Sequence, residues 1–130
     1  MIYGDLDLRG RCPAEDLEQV TFFSRLRRGF PDTFGALGVH PRNEGQLRSG
    51  QFSAVSKHKA EGMVKGASDI IIPGAPTFIC EMKRRDHTKS AWQDGQVQYL
   101  NAAAACGCFT VLALGADAAW AAFEEWRRGR

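Results

Sequence analysis

Hydrophobic positions along the chain fall into alternating helical and extended stretches. Leu17, Val20, Phe23, Leu26 and Phe30 recur at steps of three and four, which predicts a helix between Pro13 and Pro31 with these residues on one face. Pro13 suits a first turn, the acidic AEDLE after it complements the helix dipole, and RLRR (25–28) suits the C-terminal end. FGALGVHPRNEG (34–45) predicts a short strand entering a turn, and SGQFSAVSKHKAEGM (49–63) a modest helix closed by Gly62. SDIIIPGAPTFICEMK (68–83) reads as two apolar strands around a turn. TKSAWQDGQVQYLNAAAACG (88–107) then predicts a helix capped by Gly107, with an alanine-rich half that permits close packing. FTVLALG (109–115) is apolar throughout, as in a strand covered on both faces. ADAAWAAFEEWRR (116–128) closes the chain as an amphipathic helix with Trp120 and Phe123 inward.

This order predicts a mixed α/β domain, a small mixed β-sheet with flanking helices, spanning 13–130 behind a loose lead-in at 1–12. The 130 residues suit one domain, and 44% hydrophobic against 25% charged residues is ordinary globular composition. No stretch has the length of a membrane span. The opening MIYGDLDLRG is charged and has no apolar run, so a cytoplasmic protein with free thiols is expected. Cys106 and Cys108 lack the paired C-x₂-C spacing of a structural zinc site, and none is expected. Seventeen Lys and Arg against 15 Asp and Glu leave a net charge of +2, which allows a nucleic-acid partner without demanding one. The basic clusters at 25–28, 57–59, 83–89 and 127–130 are the places where phosphates would be met.

The chemistry concentrates at the open end of the hairpin. Alternation along 77–83 sends Phe78, Cys80 and Met82 to one face and Ile79, Glu81 and Lys83 to the other. An odd-numbered loop centred on Ala75 would set Asp69 opposite Glu81; an even-numbered one would set it opposite Cys80. In either register two carboxylates share one end of the hairpin, where they repel unless a cation lies between them. Hard oxygen donors in that number suit Mg²⁺ or Mn²⁺, and a neighbouring lysine can orient water or offset phosphate charge. The competing account is a plain cross-strand ion pair between Lys83 and Asp69 or Glu81.

The pattern D-x₁₁-E-x-K on a hairpin, after a helix bearing Glu and before a helix bearing Gln, resembles the PD-(D/E)xK nuclease superfamily. It is most similar to the VRR-NUC branch in its compact stand-alone form, known from phages and bacteria. EQV (18–20), HPRNEGQLR (40–48), KAEGMVKGASDIII (59–72), FICEMKR (78–84) and GQVQYLNAAAACG (95–107) stand in the order of that family's segments, from about Glu15 to Trp126. Ser68-Asp69 replaces the family's usual Pro-Asp. The resemblance implies a restriction-endonuclease-like core and a metal-dependent endodeoxyribonuclease. Asp69, Glu81, the Met82 carbonyl and Glu18 would surround the metal, with Glu15 as the alternative helix carboxylate. Lys83 would position water, and Gln96 would support Lys83 or the phosphate. His40, Asn43, Arg48, Arg84, Arg85 and Lys89 would meet DNA. Branched DNA such as a Holliday junction and a homodimer are further implications, with pairing expected around Trp92 and Tyr99 or around Trp120 and Trp126. The tryptophans read as core or interface residues rather than base-stacking platforms. No nucleotide cofactor or membrane is expected. Sequence-specific restriction is the enzymatic alternative, and a non-catalytic DNA-binding or assembly protein that retains the fold is the other.

Overall fold

The computed structural model describes residues 1–41, 57 and 60–129. Its centre is a four-stranded sheet in the order β1 (Ile2–Tyr3), β4 (Phe109–Leu114), β3 (Phe78–Lys83), β2 (Ile70–Ile72). β2 and β3 are antiparallel, whereas β4 runs parallel to both β3 and β1. Parallel neighbours need a crossover, and α3 (Gln96–Ala105) supplies it between β3 and β4. Helices α1 (Glu15–Gly29), α2 (Phe34–Leu37) and α4 (Ala116–Arg128) complete the described elements of the mixed α/β fold that the hydrophobic pattern predicts.

All six residues of β3 are buried, and its two faces do different work. Phe78, Cys80 and Met82 join Phe22, Phe23 and Leu26 of α1 and Ala119, Ala122, Phe123 and Trp126 of α4 in the core. Buried alanines on α4 let that helix approach the sheet closely, and its aromatics fill the space beyond. Each large apolar side chain buried here contributes about 1.5–3 kcal/mol. The opposite face of β3 carries Ile79, Glu81 and Lys83, and the last two lie next to the start of α3.

The opening residues correct the expectation of a loose lead-in. Ile2 and Tyr3 pair with Leu112 and Ala113, so the first residues form an edge strand. Behind them, Asp86 accepts from Gly10 N–H (2.9 Å), and Arg84 donates to the carbonyls of Cys12 (2.7 Å) and Pro13 (3.1 Å). The strand expected after residue 34 is instead a single helical turn followed by one antiparallel bridge, Val39 to Ile71. Phe34 sets that outcome: its ring packs 5.3 Å from Trp126 and 5.5 Å from Phe123, and a helical turn delivers it there.

α1 is rotated relative to its expected face. Leu17 and Val20 are exposed, and the inward residues are Glu18, Phe22, Phe23 and Leu26. The helix expected over 88–107 starts late, at Gln96, after a short 3₁₀ turn at His87–Lys89. Asn43, Arg48 and the greater part of the helix expected over 49–63 lie outside the described residues.

Candidate active site

The hairpin register decides where the carboxylates meet. Ile70 pairs with Cys80, Ile71 with Ile79 and Ile72 with Phe78, which centres the turn on Ala75. One step further in the same register, Asp69 faces Glu81, the odd-loop arrangement. Asp69 Oδ2 accepts from Met82 N–H at 2.8 Å, fixing the aspartate against β3. Lys83 C=O accepts from Gly115 N–H (2.9 Å), on the β4 side. Backbone groups of successive strand residues point to opposite edges, so the Met82 carbonyl lies on the edge that faces Asp69.

Glu81 is fully buried, and neither of its oxygens meets a hydrogen-bond donor among the described residues. Its closest cation is Lys83 Nζ at 3.8 Å, an ion pair too long for a hydrogen bond. Burial, then the Asp69 charge, and further the Glu15 charge push the Glu81 carboxyl up to about 9, against the pull of Lys83. Burial likewise raises Asp69, against the Met82 N–H, His40 and Lys83, which favour its charged form. A cation between them would let both carboxyls ionise, and a hard divalent ion would suit the all-oxygen donor set. No three or more His, Cys, Asp or Glu side chains among the described residues group so as to hold a metal ion. A cation here would therefore rest on two carboxylates, backbone and water, as Mg²⁺ commonly does.

The lysine is held by named partners. Nζ donates to the Ala91 carbonyl (2.8 Å) and to Gln96 Oε1 (2.9 Å), and it lies 4.4 Å from the centre of the Trp92 ring. Gln96 Oε1 also accepts from Gln93 N–H at 2.9 Å, so the amide is pinned by two donors. An ammonium has three N–H groups, and with two committed the third is left for the Glu81 side.

The helix carboxylate whose charge acts on Glu81 is Glu15. Burial raises its carboxyl, the Lys83 charge lowers it, and its Oε1 accepts from Ser90 Oγ at 3.1 Å. Glu18, expected at the metal, is turned to other work. Its Oε2 accepts from Ala116 N–H (2.9 Å) and from Arg85 Nε (3.0 Å). A buried carboxylate at the first turn of α4 answers unpaired N–H groups and the positive end of the helix dipole. The fit depends on Gly115, with φ of 93°, where a Cβ would overlap both the Glu18 carboxylate and Arg85.

The remaining expected residues divide. His40 Nδ1 donates to the Asp69 carbonyl at 2.8 Å, so it adjoins the site. A cleft of about 520 Å³ opens beside His40, along α1 and past Arg27 and Arg28. Arg84 is occupied with Cys12 and Pro13, and Arg85 with Glu18, so both carry structural duties that the basic run alone does not reveal. Lys89 is exposed. Ser90 and Ala91 carry no signal in the sequence, because they reach the site through a hydroxyl and a backbone carbonyl that no motif marks.

Two loops lock the site from the Asp69 and Gln96 sides. Gly66 (φ 77°) lies directly on the backbone of Gly95 and Gln96, with no room for a Cβ. Gly66→Ala should therefore destabilise the protein by about 2–4 kcal/mol, from left-handed backbone strain and forced separation of the loops. Denaturant unfolding measures this, and a loss under 1 kcal/mol would show that the contact yields.

The raised carboxyls also set a pH dependence. A native carboxyl with a raised pKa holds protons that the unfolded chain has already lost, so stability falls as pH rises between the two values. In chelator, unfolding free energy should fall from about pH 5 to about pH 9, by up to about 1.4 kcal/mol per pH unit for each extra proton held, and the melting temperature should fall with it. Glu81→Gln should flatten the slope. A flat wild-type profile would mean that the pair is not strained.

The mixed sheet thus bears Asp69, Glu81 and Lys83 at one end, with Gln96 and Glu15 brought in by flanking helices. The chain shares its fold with a solved structure described as a "VRR_NUC domain protein", at a TM-score of 0.67 over 91% of this chain and 89% of that one. Sequence identity is 21%, so the likeness establishes the fold. No protein-family model matches the chain, and no curated protein does. Among the described residues no helix is long and apolar enough to cross a membrane.

Proposed function

We propose that this chain is a divalent-metal-dependent DNA endonuclease with a preference for branched DNA. The observation that carries the proposal is the buried Asp69–Glu81 pair beside Lys83, on a fold shared with a VRR_NUC domain protein. Asp69, Glu81 and the Met82 carbonyl would hold Mg²⁺ or Mn²⁺. Such a cation supplies positive charge against the phosphate and makes water more acidic. Glu15, rather than Glu18, is the helix carboxylate placed to act on water at this site, because Glu18 is bound to Arg85 and the start of α4.

Lys83 offers a positively charged donor to the attacking water or a phosphate oxygen, and Gln96 with the Ala91 carbonyl fixes its direction. Burial of these groups strengthens each electrostatic interaction at the reacting centre. His40 and the cleft along α1 give the DNA backbone a path to Asp69. The described residues of one chain carry one such site, so paired cuts across a four-way junction call for a two-fold symmetric homodimer.

The test is incubation of purified protein with linear, flapped and four-way DNA, in Mg²⁺, Mn²⁺ or chelator, with Asp69→Asn as control. Metal-dependent nicking that favours branched substrates is the expected result. DNA binding without cleavage under every condition would replace the enzyme with a non-catalytic DNA-binding protein.

A further inference from the structure

The sequence places Trp92 in a polar stretch, and the structure puts it in contact with the proposed catalytic lysine. Its ring centre lies 4.4 Å from Lys83 Nζ, while the residue remains 48% exposed. Lys83 is nearly inaccessible, and its Nζ also lies 3.8 Å from Glu81 Oε1. The indole thus contacts the ammonium while about half of the residue's surface stays open to solvent. Trp126, by contrast, is buried in the core, and Trp120 packs against Phe22 and Phe123.

The segment that carries Trp92 is fixed on both sides. Ser90 Oγ accepts from Arg84 N–H (2.8 Å) and donates to Glu15, and the Ala91 carbonyl accepts from Lys83. Gln93 N–H donates to Gln96, Asp94 pairs with Lys65 at 3.4 Å, and Gly95 abuts Gly66. A large aromatic on such a backbone costs little further ordering when a flat ligand stacks on it.

We propose that Trp92 is a stacking platform for an unpaired nucleobase next to the phosphate that Lys83 attends. This inference rests on the nuclease reading of the site and sharpens its substrate class. A base lies one sugar away from its phosphate, and the ring and Glu81 both contact the same Lys83 ammonium. In an intact duplex the bases are stacked inside and cannot present a face to Trp92. Where a strand is frayed, flapped or branched, the freed base can, and stacking on an aromatic is sequence-tolerant. The cation on Lys83 contributes a second attraction to the same ring, which holds the indole in place for the base.

The experiment compares affinities in Ca²⁺, so it needs no cleavage. The probes are a fully paired 20-mer duplex and the same duplex with a three-nucleotide unpaired flap, each labelled with fluorescein. Wild type should prefer the flapped probe. In Trp92→Leu that preference should fall by about tenfold, the order expected for one stacked base, while Trp92→Phe should keep most of it. Tryptophan emission should be quenched by the flapped probe in wild type and not in Trp92→Phe. An unchanged preference in Trp92→Leu, or no quenching in wild type, overturns the platform. So does a dimer-to-monomer change in Trp92→Leu at unchanged preference, which would assign the residue to pairing between copies. Failure of the nuclease reading would show separately, as wild-type protein that leaves DNA uncut in Mg²⁺ and Mn²⁺.

Discussion

Glu81→Gln should lower DNA cleavage by at least ~10³-fold and at the same time raise the melting temperature of the metal-free protein. The two effects have one cause. Glu81 is a fully buried carboxylate without a donor among the described residues, facing Asp69 across the hairpin. Glutamine keeps its shape, needs no proton uptake to stay neutral in the folded state and adds an N–H that Asp69 can accept. Relief of the strained pair should stabilise the metal-free fold by about 1–3 kcal/mol, which is several degrees in a domain of this size. Asp69→Asn should lose cleavage to the same extent with less gain in stability, because the bond from Met82 N–H weakens when its acceptor becomes a neutral amide oxygen. Mg²⁺ or Mn²⁺ should raise the melting temperature of wild type and shift neither variant appreciably, since ligand-linked stabilisation needs the site intact. Calorimetry with and without chelator, beside a nicking assay, checks both halves. Activity retained in either variant, or a wild type indifferent to divalent metal, would remove the carboxylate pair from the chemistry.

The arrangement of β3 is legible in the sequence because a period of two leaves little freedom: Phe78, Cys80 and Met82 go to the core and Glu81 and Lys83 to the site together. Parity of the turn is the one open choice along the hairpin, and pairing centred on Ala75 resolves it. Gln96 is legible too, as the polar member of a packed stripe, and it turns inward onto Lys83. The phase of α1 is not legible. Counting apolar residues selects Leu17 and Val20, but the inward position between them and Phe22 belongs to Glu18, whose partners are Arg85 and Ala116, far along the chain. A polar residue buried by a distant cap is invisible to local periodicity. The same distance hides β1, two residues long, whose partner strand β4 lies more than a hundred residues on. The helical turn at Phe34–Leu37 is decided by aromatic packing onto α4, which overrides the extended reading of FGALGV.

Lys83→Met should lower turnover by about 10²–10³-fold while DNA still binds in Ca²⁺, and this separates a chemical lysine from a merely structural one. Methionine keeps much of the aliphatic stem, so the packing of β3 against α3 survives, whereas the ammonium that meets Ala91 O, Gln96 Oε1 and Glu81 is gone. Loss of that charge removes an attraction that lowers the Glu81 carboxyl, so the decline of metal-free stability with pH, which begins near the ordinary carboxylate value, should extend to higher pH than in wild type. Gln96→Ala isolates the supporting layer. It frees Lys83 from one of its two anchors but leaves the charge in place, and the loss expected for a supporting partner is about 10-fold or somewhat more. Graded losses in that order, Lys83→Met well below Gln96→Ala and both below wild type at equal DNA binding, are the signature of a positioned catalytic ammonium. A Lys83→Met protein that melts earlier yet cuts at the wild-type rate would mean that Lys83 serves only as the buried counter-charge of Glu81.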